Sequence, residues 1–202
     1  MTRCEIIKQA IEHKETDKVP YGIYFTPEAE EKVKPHFPGE ELQLTLGNYI
    51  YRIYPPWWDW YNTPECYLDF DAPEVLPQTR GLGNYEEFYE KCRYIKETTG
   101  CYVLAAVYGS HFEKANFARG IENFLADLGC NKVFAKKLLS AIIKKNMVML
   151  ENIVSCPDVD GILLGSDWGS QQSLLMSPEV WKELIAPGEC EEYALVKNAG
   201  KI

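Results

Sequence analysis

The stretch from Cys101 to Leu164 most constrains what this chain can fold into. Cys101-Tyr-Val-Leu-Ala-Ala-Val107 is a continuous apolar run of strand length, and Gly109-Ser110 separates it from a helical pattern over residues 112–128. A second helical pattern over 133–154 places Phe134, Leu138, Leu139, Ile142, Ile143, Met147, Leu150, Ile153 and Val154 on one face, with Lys136, Lys137, Lys144 and Lys145 on the other. After the turn Cys156-Pro157-Asp158, residues 159–164 read as another buried strand. Strands that are apolar on both faces must be covered on both sides, which is the habit of parallel strands joined by helices.

The flanking segments extend the alternation. Ile6, Ile7, Ala10 and Ile11 recur at helical spacing, and residues 19–25 read as a buried strand. The proline-rich stretch 27–64 contains the aromatic run 49–61, which fits no single period and predicts irregular loop and short helix. Residues 66–70 fit a short strand, and 85–98 a helix with the stripe Tyr85, Phe88, Tyr89 and Tyr94, capped by Asn84 and stopped by Gly100. Ser177-Pro178-Glu179 opens a further helix, and the helical pattern resumes after Pro187-Gly188 up to Asn198. Gly200 fits the end of that helix, and Lys201-Ile202 read as the start of another strand.

This order predicts an α/β protein with a parallel sheet flanked by helices, either open and doubly wound or closed into a barrel. No Gly-x-Gly-x-x-Gly or Gly-x-x-x-x-Gly-Lys follows any strand, which weighs against a nucleotide-binding open sheet and favours the barrel. A complete barrel takes roughly 250 residues, so the 202 residues read as the N-terminal half of one, a single domain with an irregular aromatic and Pro-rich insertion at about 27–65.

Charge and cysteine usage exclude several functions. With 30 acidic against 21 basic residues and a formal net charge of -9, the chain's own field opposes nucleic acid and anionic membrane surfaces. No apolar stretch approaches the roughly 18 residues of a bilayer span, and Met-Thr-Arg-Cys-Glu leads directly into an amphipathic pattern, so a cytoplasmic protein is expected. Seven scattered cysteines without any Cys-x-x-Cys pair exclude a zinc knuckle and argue against a secreted disulfide framework.

Three segments together resemble the uroporphyrinogen decarboxylase superfamily. They are Ile6-Ile-Lys-Gln-Ala-Ile-Glu-His-Lys-Glu-Thr-Asp-Lys-Val-Pro20; Gly109-Ser-His-Phe-Glu-Lys-Ala-Asn-Phe-Ala-Arg-Gly120 with Phe124-Leu125; and Asp160-Gly-Ile-Leu-Leu-Gly-Ser-Asp-Trp-Gly-Ser-Gln171 leading to Ser177-Pro178-Glu179 and Ile185-Ala-Pro187. The resemblance covers the chain except roughly residues 30–80, and it rests on the order and spacing of these motifs. It implies a (β/α)8 TIM barrel of the uroporphyrinogen decarboxylase type, with its cleft at the C-terminal ends of the strands. True decarboxylases carry an Arg-Gln-Ala-Gly-Arg-Tyr loop after the first strand, where this chain reads Gly22-Ile-Tyr-Phe-Thr-Pro-Glu28. Without those guanidiniums a polycarboxylate substrate loses its bidentate partners, so the chain is more similar to the corrinoid-dependent methyltransferases.

What the resemblance implies is methyl transfer between a methylated corrinoid and a zinc-activated thiol in the complete protein. The His-x-Cys and Cys zinc ligands of that branch fall beyond Ile202, so neither zinc nor corrinoid is expected to be held by these residues. Uroporphyrinogen III decarboxylation, and a catalytically silent scaffold using the aromatic run 49–61 as a partner surface, are the alternatives. A small molecule or a corrinoid protein is the expected substrate, with a homodimer left open.

Within this frame Asp167 is the candidate catalytic residue, a carboxylate at a strand end that could accept a proton, orient an amine or stabilise a cationic centre, or else cap the next turn. Trp168 beside it and Gln171 after it are candidate substrate contacts. Tyr108, Gly109 and His111 end another strand, where glycine admits a close ligand and the imidazole titrates near neutral pH; the competing role for His111 is a histidine satisfied by loop carbonyls. His111 and Glu113 read as H-x-E, but two ligands without a third make no metal site. Tyr24, Asp69 and Asp71 are candidates to line the cleft.

Overall fold

The structure is a computed structural model that describes residues 1–38, 41–56, 85–107 and 111–202. Helix α1 (Arg3–Ile11) starts on a capping box: the Glu5 amide donates to the Thr2 hydroxyl at 3.2 Å, and the Thr2 amide donates to the Glu5 carboxylate at 2.7 Å. Short helices α2 (Pro27–Val33) and α3 (Leu42–Thr45) lead to strand β1 (Ile50–Ile53). Helix α4 (Tyr85–Thr99) ends at Gly100, whose φ of +63° suits glycine, and strand β2 (Tyr102–Val107) follows. Helices α5 (His111–Arg119), α6 (Ile121–Cys130) and α7 (Lys132–Val154) connect β2 to strand β3 (Gly161–Leu164). The continuous helix expected over 112–128 is divided between α5 and α6 at Gly120, where φ is +80°.

After β3 the Ser177 hydroxyl caps α8 (Pro178–Val180) by accepting the Val180 amide at 3.3 Å. The helix then widens into a π-helical turn, Trp181–Ile185, and continues as α9 (Ala186–Asn198).

The three strands pair in parallel in the order β1-β2-β3, with Ile50 opposite Tyr102 and Leu104 opposite Gly161. Val103, Ala105 and Val107 point into the main core with Phe88, Cys92 and Ile95 of α4 and the apolar face of α7. On the opposite face Tyr102 packs with Cys4 and Ile7 of α1. Burial on both faces is what the unbroken apolar run of β2 requires.

This open sheet corrects the expected (β/α)8 barrel and its half: among the described residues there are three parallel strands that do not curl into a closed ring. One reason lies in residues 19–25, which form no strand. The Asn48 carboxamide takes the place of a neighbouring backbone, accepting the Ile23 amide and donating to the Ile23 carbonyl, each at 3.0 Å. Val19 and Ile23 remain 86% and 43% exposed, and among the described residues no strand covers this segment. The strand instead lies at Ile50–Ile53, inside the aromatic run expected to be irregular. The expected strand 66–70 and the Asn84 cap lie outside the described residues.

Beside β3, the Ile162 amide donates to the Ile202 carbonyl at 2.8 Å, but residues 201–202 form no strand. In α7 the buried stripe contains Asn146 and Met149, while Met147 is only half-buried, a shift from the expected apolar face. Cys4, Cys92, Cys101 and Cys156 are buried thiols and Cys130 and Cys190 exposed ones, with no disulfide among the described residues. No helix among the described residues is long and apolar enough to cross a membrane.

Candidate functional site

Parallel strands deliver the segments that follow them to one edge of the sheet. Here the first turn of α5, after β2, meets the loop after β3. The Glu113 carboxylate, 5% exposed, accepts the Ser166 hydroxyl at 3.2 Å and also accepts the Asp167 amide. Asp167 itself is exposed, and Trp168 packs on Trp181 of the π-helical turn with ring centroids 5.2 Å apart.

Behind this loop lies a wholly buried polar cluster built from α5, α7 and α9. His111, Lys114, Asn146, Glu189 and Glu192 are each at most 2% exposed. The Lys114 ammonium donates to Asn146 Oδ1 at 2.6 Å, and Asn146 Nδ2 donates to Glu192 Oε1 at 2.6 Å. His111 Nε2 lies 3.1 Å from the Ile185 carbonyl, while Nδ1 lies 3.5 Å from Glu189 and 3.9 Å from Glu192. The cluster forms because His111 and Lys114 are three apart on α5 and Glu189 and Glu192 three apart on α9, so each pair shares a helix face.

Gly188 lets the two helices approach. A Cβ there would sit 2.6 Å from Ile143 Cδ1 and 3.0 Å from His111 Nε2. Burial dominates the electrostatics, pushing His111 down to about 4, Lys114 downward and Glu192 upward, each towards its neutral form.

The other candidates are placed elsewhere. Tyr24 is half-buried, its hydroxyl donating to the Ile50 carbonyl at 2.9 Å and its ring 3.7 Å beneath the Arg52 guanidinium. Burial raises its phenol despite Arg52. It lines a cleft of about 830 Å³ with Glu41, Tyr51, Arg52 and Lys91, which Asp167, Trp168 and Gln171 do not line. Gln171 is exposed in a turn held by the Ser170 hydroxyl, which accepts the Ser173 amide at 3.1 Å. Asp69, Asp71, Tyr108 and Gly109 lie outside the described residues.

The structure therefore joins His111 and Glu113 on one helix with Asp167 and Trp168 on the next loop, and separates Tyr24 from them. It adds Lys114, Asn146, Glu189 and Glu192. Of these only Asn146 left a local trace, a polar residue within the apolar stripe of α7. The 202 residues contain no His-x-Cys pair. What the described residues do bring together is one imidazole and two carboxylates, His111, Glu189 and Glu192, with ligand atoms within 4.8 Å of one another. No protein-family model, curated protein or solved structure matches the chain.

Proposed function

We propose that the chain belongs to an enzyme acting at the C-terminal edge of its parallel sheet, and that its reaction is methyl transfer from a methylated corrinoid to a thiol, in the manner of the corrinoid-dependent branch of the uroporphyrinogen decarboxylase superfamily. The observation that carries this reading is the Glu113 contact. Two of the three segments behind the resemblance, 109–120 and 160–171, are far apart in sequence, yet Glu113 of the first receives Ser166 and Asp167 of the second. Tying together the loops after two neighbouring parallel strands is how such sheets assemble a reactive site.

In this reaction the cobalt–carbon bond breaks with its electron pair left on cobalt, a sulfur–carbon bond forms, and the thiol gives up its proton. Asp167 is exposed at the strand end and takes the role of proton acceptor. Trp168, braced on Trp181, supplies a flat apolar wall against which a broad ligand packs. Glu113 positions the loop.

The test is an assay of the protein with methylcobalamin and a thiol, following loss of the methyl–cobalt absorbance, with uroporphyrinogen offered in parallel. Demethylation that falls about 100-fold in Asp167→Asn is the expected result. Carbon dioxide release from the porphyrinogen, or no demethylation at high protein concentration, overturns the reading.

A further inference from the structure

We propose that His111, Glu189 and Glu192 form a binding site for a divalent transition-metal ion such as Zn2+ or Mn2+. The proposal goes beyond methyl transfer and does not depend on it. Donor atoms that share one ion at about 2.0–2.2 Å stand roughly 3–4 Å apart. Nδ1 of His111 is 3.5 Å from Glu189 Oε1 and 3.9 Å from Glu192 Oε2.

The tautomer supports the same conclusion. Nε2 of His111 faces the Ile185 carbonyl at 3.1 Å, and a carbonyl only accepts, so Nε2 carries the ring proton. A metal-bound histidine is usually oriented in this way, through its other nitrogen. Nδ1 then presents its lone pair to two carboxylates. Acceptors facing one another away from water repel unless a proton or a metal ion lies between them.

Two of these atoms, His111 Nδ1 and Glu192 Oε2, are buried and have no hydrogen-bond partner among the described residues. The Lys114 ammonium donates to Asn146 Oδ1, and Asn146 Nδ2 donates to the other carboxylate oxygen of Glu192, Oε1. The fold also brings the ligands together at close range. The π-helical turn Trp181–Ile185 immediately precedes α9, and Gly188 lets that helix approach His111 more closely than a side chain would allow. One nitrogen and two oxygens suit zinc or manganese, in contrast to a soft all-thiolate set.

The experiment measures retention of metal without any substrate, so a failed methyl-transfer assay leaves its outcome unaffected. The chain is stripped with chelator while unfolded, refolded with Zn2+ or Mn2+, desalted and analysed for bound metal. Refolding with Co2+ adds a visible spectrum. We expect one ion per chain, a melting temperature that rises with metal concentration, and a Co2+ spectrum without the thiolate charge-transfer band that binding at exposed Cys130 or Cys190 would produce. Glu189→Gln and Glu192→Gln keep the side-chain shape and are expected to weaken binding at least ~10-fold. A folded wild-type chain that retains no ion, a thiolate band in the Co2+ form, or folded glutamine variants of unchanged affinity overturns the proposal.

Discussion

The Asp160 carboxylate accepts the backbone amide of Val103 at 2.9 Å, locking the start of β3 to the start of β2 from the side chain. The same carboxylate holds Lys96 of α4 and, at 2.9 Å, Lys8 of α1, while it accepts the Cys4 thiol at 3.3 Å. One residue thus joins helices on both faces of the sheet to two of its strands.

Asp160→Asn is expected to destabilise the fold by about 1–3 kcal/mol, the range for losing hydrogen bonds to a charged group when one partner, Lys96, is partly exposed. Burial alone would raise the Asp160 carboxyl, but Lys96, the Val103 amide and Lys8 outweigh it and hold the group below its ordinary value. The stabilisation is therefore present above the unfolded carboxyl value near pH 4 and is lost as pH falls through the lower folded value. Urea midpoints across acid pH should fall more steeply for the wild type than for Asp160→Asn. Parallel curves would remove Asp160 as the source.

Glycine to alanine inside a helix normally gains about 1 kcal/mol. At Gly188 the sign should reverse, because the new Cβ meets Ile143 Cδ1 at 2.6 Å and Cγ1 at 2.8 Å. A loss of about 1–3 kcal/mol is expected for Gly188→Ala. Ile143→Val removes Cδ1, so the double variant should recover part of that loss, a coupling of about 0.5–2 kcal/mol in a double-mutant cycle. Additive effects would show that the two residues do not crowd one another.

Much of the core was legible because local pattern and final environment agree. The apolar run of β2 is buried on both faces, α7 turns its exposed lysines away from the core, and Ser177 caps the helix that its position announces. Residues 19–25 misled for a physical reason: their composition suits a strand, but the partner that satisfies Ile23 is the Asn48 side chain, and no local pattern reveals that substitution. Strand β1 was missed because its four residues alternate only between Tyr51 and Ile53 inward, too short a period to stand out among aromatic neighbours. The expected barrel followed from the resemblance more than from the residues. His111 and Glu113 were readable as a pair, whereas Glu189 and Glu192 look like any solvent-facing helix positions until α9 packs on α5. Their burial is a tertiary fact.

Asn146 links the buried Lys114 ammonium to the buried Glu192 carboxylate. Asn146→Ala leaves both with a lost hydrogen bond to a charged group, so a destabilisation of about 3–5 kcal/mol is expected. Asn152→Ala on the same helix removes only a bond to the Val148 carbonyl near the surface, and should stay within about 0.5 kcal/mol. Chemical denaturation of the two variants checks this. Equal effects would mean that water replaces Asn146 within the cluster.

The final prediction concerns the contact on which the proposed function rests. If Glu113 holds the loop after β3, its removal should free that loop and leave the sheet intact. The Asp167 amide donates to Glu113, and an amide that loses a charged acceptor exchanges faster by about 10–100-fold. Glu113→Ala should show this acceleration at Asp167, together with a red shift in tryptophan emission as Trp168 loosens from Trp181. Amides of β2, such as Ala105 in its register with Ile162, should keep their protection. Glu113→Gln retains one acceptor oxygen and should fall between the two. Unchanged exchange at Asp167 in Glu113→Ala would show that the loop is held by other contacts, and would take away the structural basis for placing the segments 109–120 and 160–171 in one site.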